Sequence, residues 1–117
     1  MSRIRIGAAV LNQTPLAWNG NRDNILRALE IARDEGVRIL CLPELCISGY
    51  GCEDAFLSPG VWRMSLEVLK ELLPQMTDMV VSVGLPLFFR HALFNCAAIV
   101  VDGRIAGFVA KRFLAGD

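Results

Sequence analysis

A chain of 117 residues with twelve basic and twelve acidic side chains has no net field to steer it toward nucleic acid or an anionic lipid surface. Its length holds one domain at most, and an apolar fraction of 54 % with a mean hydropathy of +0.44 is high for a small soluble domain. No run approaches the roughly eighteen apolar residues of a membrane span, and Arg3 and Arg5 break the first apolar stretch where a signal peptide needs continuity.

In chain order, Arg3–Leu11 alternates weakly and predicts a first strand, and Asn12–Gly20, rich in turn formers, predicts a loop. From Asn21 to Glu35 the apolar residues Ile25, Ala28, Leu29 and Ala32 recur at helical spacing, and Gly36 is a natural stop. Val37–Leu42 then reads as a short buried parallel strand, completing a βαβ unit. Pro43-Glu44 ends that strand, and Gly49-Tyr50-Gly51 opens a loop. Ser58-Pro59 predicts a second helix, a cap followed by proline in the first turn. Trp62, Leu66, Leu69 and Leu73 give it an apolar stripe, and Pro74 closes it. Met79–Phe89 predicts a third strand. Phe94–Val101 and Arg104–Ala110 flank Asp102-Gly103, a strong hairpin signal. The expected architecture is α/β, β-α-β-α-β-β-β, with a mixed sheet. Its two helices lie on one face or on both; the sequence leaves that choice open.

Two residues stand where chemistry is expected. Glu44 directly follows an apolar strand, and the carboxyl ends of strands line the ligand crevice of open α/β sheets. Partial desolvation there would raise its pKa toward that of a general base; the alternative is a solvated glutamate at a strand end. Lys111 shares a predicted strand face with Ile105, Gly107 and Val109, so it either donates to an oxyanion in a pocket or reaches past the apolar row into water. The four cysteines form no CxxC pair, and reduced thiols in a cytoplasmic protein are the expectation. Cys41 and Cys96 read as buried core residues, whereas Cys46 and Cys52 lie in the stretch after Glu44, where a thiol can be exposed. His91 reads as an exposed turn residue. No cluster has metal-ligand spacing, and no glycine-rich phosphate loop is present.

Together these segments resemble the nitrilase (carbon–nitrogen hydrolase) superfamily. Asn12-Gln13, Asn21 before the first helix, Leu42-Pro43-Glu44-Leu45 and Gly49-Tyr50 match its amino-terminal pattern in order and spacing. The stretch Pro43–Asp54 (PELCISGYGCED) resembles more narrowly the glutaminase domain of glutamine-dependent NAD synthetases. Val83–Pro86 (VGLP), Phe94-Asn95-Cys96 and Lys111–Asp117 (KRFLAGD) fit the same group.

The resemblance implies a nitrilase-like αββα sandwich with a glutamate–lysine–cysteine triad. Glu44 would be the general base, Lys111 the oxyanion donor, and Tyr50 a residue lining the glutamine pocket. The family's cysteine follows the lysine on a strand-to-helix elbow, and only six residues follow Lys111 here. Cys52-Glu53-Asp54 mimics the elbow sequence but lies before the lysine and follows a glycine-rich loop, so it is not expected to be the nucleophile. Residues 1–117 are accordingly expected to be the amino-terminal part of a glutaminase domain, inactive alone, with the rest of that domain and the synthetase domain absent. L-glutamine and a homo-oligomeric partner are expected, with no nucleic acid and no membrane. No cofactor is expected in this segment; ATP and Mg belong to the synthetase domain. The alternatives are a stand-alone nitrilase-type amidase and a non-catalytic truncated paralogue acting as an assembly module.

Overall fold

Ile25, Leu29 and Ala32 stand on one face of a helix, and all three are buried against a second helix and the sheet beneath. A computed structural model, which describes residues 2–52 and 58–111, shows how that core is assembled. The elements are β1 (Ile6–Ala8), α1 (Trp18–Asp34), β2 (Ile39–Cys41), α2 (Pro59–Leu72), a 3₁₀ turn at Leu73–Gln75, β3 (Val80–Phe89), β4 (Ala92–Val101) and β5 (Arg104–Ala110). Their order is the one expected, and the five strands lie side by side in chain order. β1, β2 and β3 run parallel, whereas β3–β4 and β4–β5 are antiparallel.

The question of one face or two is answered by topology. Two successive right-handed crossovers that move the same way across a sheet leave both helices on the same side. Ile25 and Leu29 of α1 therefore share one cluster with Val68, Leu69 and Leu72 of α2 and with Leu40, Val81, Val83, Ala98 and Val100 of the sheet.

The opposite face is open. Ile6, Ile39, Val101 and Val109 on it are 70 %, 38 %, 44 % and 59 % exposed, although Gly84 and Pro86 of β3 are buried on this face too. Cys41 lies on this open face and is exposed, contrary to its reading as a core residue; Leu40 is the residue of β2 that enters the core.

Several boundaries and faces differ from expectation. Of the first apolar stretch only Ile6–Ala8 forms strand, with Arg5 O and Ala9 N–H adding one bond each to the segment of β2 at its two ends. α1 starts at Trp18, which puts Asn21 inside the helix. It ends in a Schellman arrangement, with Gly36 N–H donating to Arg33 O and Val37 N–H to Ala32 O. α2 buries Val61, Ser65, Val68, Leu69 and Leu72, a stripe turned from the expected one, leaving Trp62, Leu66 and Leu73 at its margin. Ser58 is the N-cap but makes no side-chain capping bond, and Pro59 follows it at the first helical position. A register shift between Ile99 and Val100 pairs Ile105 with Val100 and Gly107 with Ile99, so Ile105 leaves the face that Gly107, Val109 and Lys111 share. The turns fit their residues: Arg90-His91 and Asp102-Gly103 both have positive φ at the two central positions, the twist a two-residue hairpin requires. No helix among the described residues is long and apolar enough to cross a membrane.

Candidate active site

β2 ends at Cys41, and the chain stays beside β3 for one more step, Leu42 N–H donating to Ser82 O at 2.9 Å. It then turns over Glu44–Ser48, with Leu45 at φ 49° and Gly49 N–H closing back on Leu45 O at 2.8 Å. Two close approaches seat this turn. At Gly84 of β3 a Cβ would lie 2.4 Å from Leu45 N and 2.6 Å from Pro43 O. At Gly49, with φ +88°, it would meet Thr14 O at 2.7 Å. Glycine is required at both positions because backbone occupies the space a side chain would take.

The turn is also held from the other side by polar side chains. Asn21 is 1 % exposed; its Oδ1 accepts from Thr14 N–H, and its Nδ2 donates to Thr14 O and Ile47 O. Gln13 Nε2 donates to Cys46 O at 2.7 Å and to Asn21 O at 3.0 Å, and Asn24 donates to Gln13 Oε1. Gln13 and Asn21, quoted above as motif residues, thus tie the loop after β1 to the turn carrying Glu44. Neither reads as a clamp in sequence, because the backbone atoms they satisfy lie on another segment.

At the far end of this frame Lys111 Nζ lies 2.7 Å from Glu44 Oε1. Lys111 N–H pairs with Asn95 O, which extends β5 by one step and turns the lysine side chain onto the open face. Asn95, near the start of β4, donates through Nδ2 to the same Glu44 oxygen. An open depression of about 330 Å³ surrounds the three residues, floored by Ser82, Gly84, Ala97 and Val109. A larger depression of about 460 Å³ lies beside β1 and α1, away from this cluster, and is lined by Arg27 and Glu35.

The electrostatics correct one expectation. The hydrogen bond from Lys111 holds the Glu44 carboxyl below the usual carboxylate range; desolvation opposes it more weakly, and the Asn95 amide adds to the lowering. Glu44 and Lys111 side chains are each 37 % exposed, so burial is too slight to raise the acid as expected. The same bond raises Lys111 above the ordinary lysine value. The resting site is therefore a carboxylate–ammonium pair at neutral pH.

Glu44 and Lys111, separated by 67 positions, are brought together. Tyr50 is 61 % exposed and stands outside the residues that floor the depression, although its phenol contributes to the raised Lys111 value. Cys46, in the stretch where a thiol can be exposed, is 1 % exposed, and burial pushes its thiol up to about 12. Cys96 is buried and likewise raised. Cys52 is half-buried, its thiol against Gly49 O and Ser48 O. Glu53, Asp54 and the residues after Lys111 lie outside the described residues. Asn95 was quoted only as part of a motif; its placement beside Glu44 follows from the register Pro86↔Asn95.

A family model described as carbon–nitrogen hydrolase matches residues 5–112. The glutamine-dependent NAD(+) synthetase of Saccharomyces cerevisiae is 35 % identical over 118 residues, which cover 97 % of this chain but 16 % of that protein. The crystal structure of a glutamine-dependent NAD(+) synthetase from Cytophaga hutchinsonii superposes with a TM-score of 0.96 at 49 % identity, covering 99 % of this chain and 20 % of that one. An amidase of the nitrilase superfamily from Nesterenkonia AN1, 21 % identical, shares the fold with a TM-score of 0.85, and this chain covers 45 % of it. The chain thus corresponds to part of a domain and spans about one sixth of the curated synthetase it matches.

Proposed function

This chain belongs to the carbon–nitrogen hydrolase family, and we propose that it is the amino-terminal part of a glutaminase domain that supplies ammonia to an NAD synthetase. The observation that carries the reading is the 2.7 Å contact between Lys111 Nζ and Glu44 Oε1, made where the turn after β2 meets the end of β5 above an open depression. In this reading Glu44 is the general base and Lys111 the cationic donor. A cysteine thiol supplied from outside residues 1–117 gives its proton to Glu44 as its sulfur bonds to the side-chain amide carbon of L-glutamine. The amide oxygen takes the displaced electron pair and is stabilised by Lys111; as the adduct collapses, Glu44 returns the proton to the nitrogen, which leaves as ammonia, and water then gives a proton to Glu44 and its oxygen to the thioester carbon, releasing glutamate and the thiol, which recovers that proton.

Moving a proton from a thiol to a carboxylate is uphill by roughly 6 kcal/mol between unperturbed groups, and the lowered Glu44 value adds to that. The lysine must therefore stabilise the thiolate as well as the oxyanion, and its contact with the carboxylate puts it within reach of both. Cys46 is unsuited to the nucleophile's part, since burial keeps its thiol protonated.

The proposed whole protein has a further synthetase domain, where ATP and Mg would serve the amidation of nicotinic acid adenine dinucleotide; among the described residues no three His, Cys, Asp or Glu side chains are grouped to hold a metal ion. The remainder of the glutaminase domain would cover the open face that carries Ile6, Ile39, Val101 and Val109, and residues 1–117 alone would be inactive. A homo-oligomer belongs to the same proposal, with the exposed Phe89 and Phe94 near the turn of the β3–β4 hairpin as candidate contact residues.

Glu44→Gln in the full-length protein tests the reading. Glutamine-dependent NAD formation should be abolished while ammonia-dependent formation survives. Loss of both activities together would make Glu44 structural, and glutamine hydrolysis without any NAD formation in the unaltered protein would make it a stand-alone amidase.

A further inference from the structure

The two hydrogen bonds at Glu44 are unequally shared. Lys111 Nζ and Asn95 Nδ2 both donate to Oε1, and among the described residues no donor reaches Oε2. We infer that Asn95 is a positioning residue which, with Lys111, occupies Oε1 of Glu44 and leaves Oε2 as the oxygen that receives the thiol proton. The inference rests on the proposed glutaminase reading and adds to it an assignment for each carboxylate oxygen.

The geometry supports a division of labour. A carboxylate oxygen that already accepts two hydrogen bonds is a poor proton acceptor, because protonation would force a donor away. The unoccupied oxygen keeps its lone pairs and can turn toward an incoming thiol. Asn95 supplies its bond from a fixed place: it pairs with Pro86 on β3, and its carbonyl accepts from Lys111 N–H. One residue thereby fixes the base through its side chain and the lysine through its backbone. A neutral amide suits this role, since it orients the carboxylate without adding a second cation to compete with Lys111.

The groups around Glu44 limit what else can titrate. Lys111 faces it from the end of β5, and Tyr50, on the turn that follows Glu44, acts on Lys111. β3 presents Ser82 and Gly84, which do not titrate, and the Cys96 thiol is kept protonated by burial.

In the chemical step the S–H bond breaks and its proton passes to Oε2. The sulfur electron pair forms the carbon–sulfur bond, and the amide π pair moves to the oxygen, with Oε1 bound by both donors throughout.

The test is the pH dependence of glutamine hydrolysis by the full-length protein carrying Asn95→Ala or Asn95→Asp. Both should lower kcat/KM for glutamine by about 10- to 100-fold at neutral pH, the range for a lost charge-assisted hydrogen bond. In both, the acid limb should move to higher pH, further in Asn95→Asp, whose carboxylate repels Glu44; activity lost at about pH 5 should return as pH rises. Ammonia-dependent NAD formation should stay within about twofold of the unaltered protein, which reports that the protein is folded. A purely structural defect would lower glutamine turnover equally at every pH, so an unmoved acid limb in both variants overturns the inference. If instead Glu44→Gln still hydrolyses glutamine, the glutaminase reading itself fails; a dead Glu44→Gln with unmoved Asn95 profiles defeats only the oxygen assignment.

Discussion

Gly84→Ala adds one methyl group where β3 touches the turn that carries Glu44. The new Cβ would stand 2.4 Å from Leu45 N, 2.6 Å from Pro43 O and 3.0 Å from Glu44 C, whereas ordinary contact begins near 3.4 Å. All three atoms are backbone, so no side chain can swing aside, and β3 and the turn must separate by about 1 Å. Overpacking of this kind costs about 1–3 kcal/mol. A separation of that size also takes the 2.7 Å contact between Lys111 Nζ and Glu44 Oε1 beyond hydrogen-bond range, and misplacing a catalytic group by 1 Å lowers rate by roughly 10²-fold. Two measurements on the full-length protein check this. Glutamine-dependent NAD formation should fall about 100-fold while ammonia-dependent formation stays within about twofold. Hydrogen exchange at Leu45–Gly49 should lose protection by roughly 5- to 150-fold, which is the same 1–3 kcal/mol expressed as an opening equilibrium. Wild-type protection together with wild-type glutamine turnover would refute the argument that the turn is seated on Gly84.

Four further outcomes are expected. Lys111→Met should reduce glutamine turnover by about 10²–10³, as for loss of one oxyanion donor, and spare ammonia-dependent synthesis; equal loss of both would assign the lysine to folding. Asn21→Ala should cost about 2–4 kcal/mol, because three backbone groups of two segments lose a buried partner; faster hydrogen exchange at both Thr14 and Ile47, whose N–H donates to Gly84 O, would show it, and unchanged exchange would remove Asn21 from the clamp. Cys52→Ala should leave glutamine turnover within about twofold, and an inactive variant would return Cys52 to candidacy as the nucleophile. The Glu44 value is lowered from 4.5, so its contribution to stability is present above that pH and lost as pH falls through the lowered value; that of Lys111, raised from 10.5, is present below 10.5 and lost as pH climbs past the raised value. Acid unfolding of Glu44→Gln should therefore merge with that of the unaltered protein at low pH and separate from it above, and a constant separation would contradict the sign.

Periodicity and punctuation are local properties, and they determined the order of the elements. The spacing of Ile25, Leu29 and Ala32, the stop at Gly36, Pro59 at a helix start and Asp102-Gly103 between two apolar runs each act within a few residues. They yield β-α-β-α-β-β-β without any knowledge of neighbours, and they put Glu44 and Lys111 at strand ends. Which face a residue takes, and what meets it there, is decided across the sheet. Two crossovers in one direction put both helices on one side and left Cys41 exposed. A single extra residue in β5 moved Ile105 off the face of Lys111. The charge on Glu44 was decided in the same way: its donors come from 51 and 67 positions along the chain, and at a half-exposed site their hydrogen bonds outweigh the desolvation that the sequence alone would favour. Short-range pattern sets where the chain turns; only the packed sheet sets which atoms face each other.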